Sequence, residues 1–304
     1  MENNSSWFVD MTKGTIQNQY ILGNIIGRGS TSTVHSCLHK GHKKYACKII
    51  LKAKLKQAET RSRIEMLIQI RHENIVTVRE AYDDSLRVYI IEDLASGGEL
   101  LERLASCGGY SERDAAKAIH DIALALEYIH SKKVIHGNLK PEKLLYATEN
   151  DDSRLLLTDI GVLTSLTIPR KFIYCAPEMM STDKPSSASD MWSLGIVLYI
   201  MLCGFEPFRN TDEIFSPDIW NDKTDEAKHL TASLLSNCPD DRPSASDLVN
   251  NSWVKGEKTA EHPMPNIVKN LREFNARRKF KAATLAVCAT HRAIALSNCH
   301  EVVG

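Results

Sequence analysis

No run of eighteen apolar residues occurs anywhere in the 304-residue chain, so the sequence offers no helix able to cross a bilayer. The first thirty residues also lack the basic region and apolar stretch of a secretion leader. An excess of one charge is missing too. Lysine plus arginine and aspartate plus glutamate stand at 38 each, leaving no global field to gather nucleic acid or a membrane surface. The eight cysteines (Cys37, Cys47, Cys107, Cys175, Cys203, Cys238, Cys288 and Cys299) contain no CxxC pair, and no histidine stands at zinc-finger spacing. Cys203 closes the apolar run 198–202, where a thiol serves as a small hydrophobe. These absences predict a soluble intracellular protein with no structural metal, no nucleic-acid or membrane partner, and binding through local charge.

The length suits one large domain or two packed lobes. Residues 1–19 are polar apart from Trp7, Phe8 and Val9 and read as an arm. Short β-prone runs at 20–28, 31–37 and 44–51, separated by glycine-bearing turns, predict an antiparallel sheet that continues at 77–82 and 86–92. Between them, 57–70 carries Ile64, Leu67 and Ile68 at helical spacing, with Arg71 continuing the row just past its end. After Gly97 and Gly98 the pattern turns helical. Ser111 and Asp114 form a capping box for a helix whose stripe is Ala115, Ile119, Ile122, Ala123, Leu126 and Ile129. Further helices are predicted at 188–202, 224–235, 244–249 and, past Pro263 and Pro265, at 266–291. The run 188–202 is apolar enough to be buried centrally. The expected class is α+β: a small sheet lobe, 20–94, a larger helical lobe, 95–255, and a tail, 256–304.

Gly27, Arg28, Gly29, Ser30, Thr31 and Ser32, followed by Val34, lie between two predicted strands. Such a hairpin lets backbone N–H groups approach phosphates closely, although a plain tight hairpin meets the same pattern. It is followed in order by Lys48 in Tyr45-Ala46-Cys47-Lys48, by Glu65, and by His136-Gly137-Asn138-Leu139-Lys140-Pro141-Glu142-Lys143. Then come Asp159-Ile160-Gly161, Ala176-Pro177-Glu178, Asp190-Met191-Trp192 and Arg242. This order resembles the eukaryotic protein kinase fold from about Tyr20 to Trp253. Gly109-Tyr110-Ser111-Glu112-Arg113-Asp114, Leu202-Cys203-Gly204-Phe205-Glu206-Pro207-Phe208 and Glu273-Phe274-Asn275-Ala276-Arg277-Arg278-Lys279 narrow it to the calcium/calmodulin-dependent kinases of the type IV class.

The resemblance implies a bilobal serine/threonine kinase that binds ATP and Mg²⁺ between its lobes, works in the cytoplasm and nucleus, and docks a protein partner or substrate on the large lobe. A monomer is expected. Gly27, Gly29, Val34, Ala46 and Leu145 would surround the nucleotide, with Lys48 on its phosphates and Glu65 pairing with Lys48. Asp159 would hold Mg²⁺. Lys140 keeps its place in the catalytic loop, and Glu178, Asp190 and Arg242 keep the scaffold. The departures fall on the chemistry. Asn138 replaces the catalytic aspartate and is no proton acceptor, and Lys143 replaces the asparagine that ligates a second metal. Gly137 replaces the arginine that clamps a phosphorylated activation segment, Ser32 the third loop glycine, Ile160 a phenylalanine, and Gln69 an apolar residue of the internal spine. The segment 162–175 is shorter than the family pattern, without its substrate-seating glycine-threonine-proline, and a stretch is missing between Phe208 and Ser216. Thr164 and Thr167 stand outside the phosphoacceptor context. Impaired catalysis is the expectation.

In the tail, Arg277, Arg278, Lys279 and Lys281 cluster around Phe280, with Leu285 on a neighbouring helical row. A basic amphipathic helix can enter an apolar groove while its charges meet an acidic rim. A helix packed on the large lobe fits the same pattern. The resemblance implies an autoinhibitory segment that calcium-loaded calmodulin displaces.

Overall fold

The computed structural model describes residues 15–29, 32–107, 109–161, 172–182, 184–207, 214–264, 266–281 and Thr284. Five antiparallel strands make the first lobe: β1 (Tyr20–Arg28), β2 (Ser32–His39), β3 (Lys43–Leu51), β4 (Val78–Asp83) and β5 (Arg87–Asp93), in spatial order β1-β2-β3-β5-β4. Side chains alternate across a strand, and β5 uses both faces. Tyr89 and Ile91 join Tyr20, Cys37 and Cys47 on one side, whereas Val88 and Ile90 join Ile50, Ile64 and Leu67 on the other. Ile64 and Leu67 belong to α1 (Gln57–Gln69), whose buried stripe also includes Thr60.

The second lobe contains α2 (Leu100–Ser106), α3 (Glu112–Ser131), the hairpin of β6 (Leu144–Tyr146) and β7 (Leu155–Leu157), α4 (Met179–Thr182), α5 (Ser187–Cys203), α6 (Pro217–Trp220), α7 (Asp225–Leu234), α8 (Ala245–Asn250) and α9 (266–281). The α3 capping box forms as predicted. Asp114 N donates to Ser111 Oγ at 3.3 Å and Ser111 N to Asp114 Oδ2 at 2.9 Å. In α5 every residue from Ser193 to Cys203 is buried, which places this helix at the centre of the lobe. Gly204 ends it with φ of 81°, a left-handed conformation that glycine adopts without a Cβ penalty.

Glu112, fully buried at the start of α3, is a polar hub. Its carboxylate accepts from Thr224 N at 2.8 Å, Thr224 Oγ1 at 2.7 Å and Trp253 Nε1 at 3.0 Å, tying α3 to the entries of α7 and the segment after α8.

The lobes are joined through 94–98, and here close approach demands glycine. Gly97 N donates to Tyr146 O at 3.0 Å, and a Cβ on Gly97 would sit 2.0 Å from the Thr148 carbonyl oxygen. Gly97→Ala should therefore destabilise the chain by about 1–3 kcal/mol, read as a lower denaturant midpoint with an unchanged slope.

The last helix is packed on the large lobe through Ile267, Leu271 and Asn275. Asn270 Nδ2 donates to Cys203 O at 3.3 Å, Arg272 Nε to Ala105 O at 2.7 Å and Asn275 Nδ2 to Leu101 O at 2.7 Å. The arm residues Trp7, Phe8 and Val9, the threonines 164 and 167, Leu285 and most of the expected helix beyond 281 lie outside the described residues.

Candidate functional site

The register of the sheet sets the roof of the cleft. Gly27 pairs with Val34 across β1 and β2, and Val34 pairs with Lys48 across β2 and β3, which puts the glycine turn, Val34 and Lys48 in one row. Gly29 N donates to Ser32 O at 2.8 Å, closing the hairpin; Ser30 and Thr31 at its tip are outside the described residues. Ala46 is buried in β3, and Leu145 lies half-buried in β6 of the other lobe.

The floor is built around Asp190. His136 N donates to its Oδ2 and Gly137 N to its Oδ1, both at 2.8 Å, and His130 Nε2 lies 3.0 Å from Oδ2. The same loop is tied forward: His136 Nε2 reaches Thr158 O at 3.0 Å and Thr158 N donates to Lys143 O at 3.0 Å. Burial lowers the His136 imidazole below its ordinary value, so it is held neutral as it donates. Lys140 Nζ lies 3.1 Å from Glu142 Oε1. Behind the loop, Arg242 grips Glu178 through two parallel bonds of 2.8 Å and lies over the Trp192 ring at 5.1 Å.

At the mouth of the cleft, one carboxylate serves two ammonium groups. Lys48 Nζ contacts Asp159 Oδ1 and Lys143 Nζ contacts Asp159 Oδ2. Asp159 stands at φ of 62°, a left-handed conformation unusual for aspartate. Burial alone would raise its carboxyl, but the two lysines outweigh burial and hold it well below the usual carboxylate range. The expected Lys48–Glu65 pair is not formed. Glu65 instead accepts from Arg61 Nε at 2.9 Å, one turn earlier on α1. The buried stripe Thr60, Ile64 and Leu67 fixes the rotation of α1, and it leaves Glu65 43% exposed and Gln69 at the surface. The position expected for an apolar spine residue therefore faces solvent, where glutamine costs nothing.

One further group was not legible as part of the site. Glu92, at the end of β5, pairs in register with Ala46 and interacts electrostatically with Lys48, Asp159 and Lys143. Burial pushes its carboxyl up to about 7, against the pull of Lys48. The available signal was an acid closing the apolar strand Val88 to Ile91 just before the linker glycines.

The donor set does not fit a divalent cation. Both Asp159 oxygens are engaged by ammonium groups, and Lys143 puts a positive charge where a second ligand is expected. A Mg²⁺ ion there would meet like charge.

Arg278 reaches the rim of this cleft from α9. Its guanidinium contacts Glu99, which follows the linker, and lies 3.6 Å from Glu142 of the catalytic loop. Its side chain is only 11% exposed. Although burial opposes its charge, Glu99 and Glu142 hold the guanidinium above its usual range. The other basic residues differ: Arg277 is 83% and Lys279 64% exposed along the side chain, and Phe280 is 76% exposed. Arg278, grouped in the sequence with the other expected calmodulin contacts, is a largely covered partner of Glu99.

A family model described as protein kinase domain matches residues 20–254. The chain is 34% identical to calcium/calmodulin-dependent protein kinase type IV of Homo sapiens over 315 residues, which covers 97% of this chain and 66% of the human protein. The mouse protein of that name is 34% identical over 98% of this chain and 68% of its own length. The calcium and calcium/calmodulin-dependent serine/threonine-protein kinase DMI-3 of Medicago truncatula is 38% identical over 71% of this chain and 45% of that protein. The chain thus spans about two thirds of the type IV relatives and under half of the plant protein. With the two-lobed fold and the motif order in place, the chain belongs to the protein kinase domain family and is related to its calcium/calmodulin-dependent members.

Proposed function

We propose that this chain is a calmodulin-responsive, kinase-fold binding module in which efficient phosphoryl transfer has been lost, acting in the cytoplasm and nucleus. The observation that carries the reading is the Asp159 carboxylate held between Lys48 and Lys143, in a chain whose catalytic-loop Asn138 accepts no proton. Positioning survives, because Asp190 still fixes the loop. The acid–base and metal chemistry that positioning would serve does not. The test is phosphate transfer from radiolabelled ATP by the full chain with Mg²⁺ and saturating calcium/calmodulin, beside its Asp159→Asn variant. Equal background in both is expected; transfer that disappears in the variant overturns the loss of catalysis and favours a slow serine/threonine kinase using Asn138 to orient the acceptor hydroxyl.

The tail supplies the regulation in this reading. Calcium-loaded calmodulin takes hold of the exposed Phe280, Arg277 and Lys279 and must then strip Arg278 from Glu99 and Glu142. Phe280→Asp should weaken calmodulin binding by about tenfold to a hundredfold, the worth of burying one aromatic side chain. Glu99→Ala should have the opposite sign, tightening binding by about tenfold, because a charge-assisted contact that resists release is gone while the calmodulin-facing residues are untouched. Calorimetric titration of calcium/calmodulin into each full-length variant reads both. A weaker complex with Glu99→Ala would count against the tail as a latch.

A further inference from the structure

We propose that the cleft of this chain binds nucleoside triphosphate without a divalent cation, Lys143 acting as the resident positive charge. The inference goes beyond the reading above and rests on the nucleotide cleft that membership of the protein kinase domain family implies. It starts from the disagreement between the donor set and a metal ion. Lys143 Nζ and Lys48 Nζ lie against the two oxygens of Asp159, so the carboxylate that would hold a cation instead spaces two ammonium groups across the cleft. The side chains of Lys48, Lys143 and Asp159 keep 12%, 20% and 20% exposure, so the cluster is not sealed inside the protein.

The charge balance points the same way. Replacing a neutral metal ligand by Lys143 adds one positive charge. Turning Glu65 away to Arg61 removes one negative charge from beside Lys48. Relative to the pattern the resemblance implies, the change is two positive charges, the formal charge of one divalent cation. The donors match as well: an ammonium has three N–H bonds, and the contact with Asp159 uses one on each lysine, leaving donors for phosphate oxygens. The opposing charges are Asp159 itself and Glu92 on β5, which faces Lys48. Lys140 adds a third ammonium, shared with Glu142.

Without the ion, a triphosphate would meet Lys48 and Lys143 directly. With Mg²⁺ bound to it, the triphosphate would bring a cation toward Lys143, and their repulsion would work against binding. The expected dependence on Mg²⁺ is therefore absent or inverted.

Calorimetric titration of ATP into the full chain, once in EDTA and once in excess MgCl₂, tests this. The expected result is a Kd in EDTA equal to or lower than that in Mg²⁺. Lys143→Asn should weaken binding in EDTA by about tenfold, the worth of one charge-assisted hydrogen bond, and make Mg²⁺ strengthen it. Thermal unfolding with and without ATP is run on both proteins, so that loss of binding is read only in folded chains. At least tenfold tighter binding by the wild type in Mg²⁺ than in EDTA overturns the proposal, as does a folded wild type that binds ATP in neither buffer. Neither result bears on phosphate transfer or on calmodulin capture, so the module reading stands or falls by its own assays.

Discussion

Asn138→Asp alone is expected to leave phosphate transfer at background. Supplying a general base is ordinarily worth about 10²- to 10⁴-fold, so in a site whose only defect was Asn138 the repair would be conspicuous. Here the base would arrive beside an intact obstacle. Lys143 still occupies one oxygen of Asp159 and still repels a cation from the place where developing phosphate charge must be neutralised. The second substitution is thus the informative one. Asn138→Asp combined with Lys143→Asn frees Asp159 Oδ2 and restores a neutral ligand, and hydrolysis of radiolabelled ATP in Mg²⁺ should rise by about 10²-fold over the single variant. Hydrolysis is the better readout, because water needs no seat on the shortened segment 162–175. A large gain from Asn138→Asp alone would mean that Lys143 is no obstacle. The chain would then be a kinase lacking one proton acceptor.

How far the sequence leads depends on whether the property is local. Helix ends were legible because caps and apolar spacing act within a few residues: Ser111 and Asp114 cap α3, and the expected helices at 224–235 and 244–249 are α7 and α8 to within one residue. The strand expected at 86–92, found at Arg87–Asp93, was legible for the same reason. Pairings between distant segments were not. Sequence order predicts that Glu65 meets Lys48, but the partner of Lys48 is decided by the rotation of α1, set by Thr60, Ile64 and Leu67, and by the competing pull of Asp159. Lys143 was recognisable as a departure from the family, whereas its grip on Asp159 depends on how the folded chain brings the two together. Glu92, Glu99 and Glu142 each look like surface acids in sequence, and each becomes informative only when a lysine or arginine from another segment reaches it. Basic residues spaced along the tail cannot report that one of them is held in an ion pair on the large lobe.

The largest stability effect should come from Asp190→Ala. Asp190 is 1% exposed, and its two oxygens accept from the backbone N–H groups of His136 and Gly137, while His130 approaches the same carboxylate. Truncation to alanine removes the acceptor for two donors at once, one buried and one partly buried, and each orphaned donor costs about 1–3 kcal/mol. A loss of about 3–5 kcal/mol follows, a large share of the 5–15 kcal/mol that is typical of a folded domain. Denaturant unfolding measures it. The loop should suffer with the fold, because Gly137 sits at φ of 74° and Asp190 is the acceptor that holds its amide there. Amide exchange at His136 and Gly137 should therefore accelerate far more than exchange in the α9 residues buried against α2. Asp190→Asn keeps one carbonyl acceptor and should cost roughly half as much. If both variants unfolded like the wild type, the carboxylate would not be what fixes the loop, and the positioning of Asn138 and Lys143 would need another source.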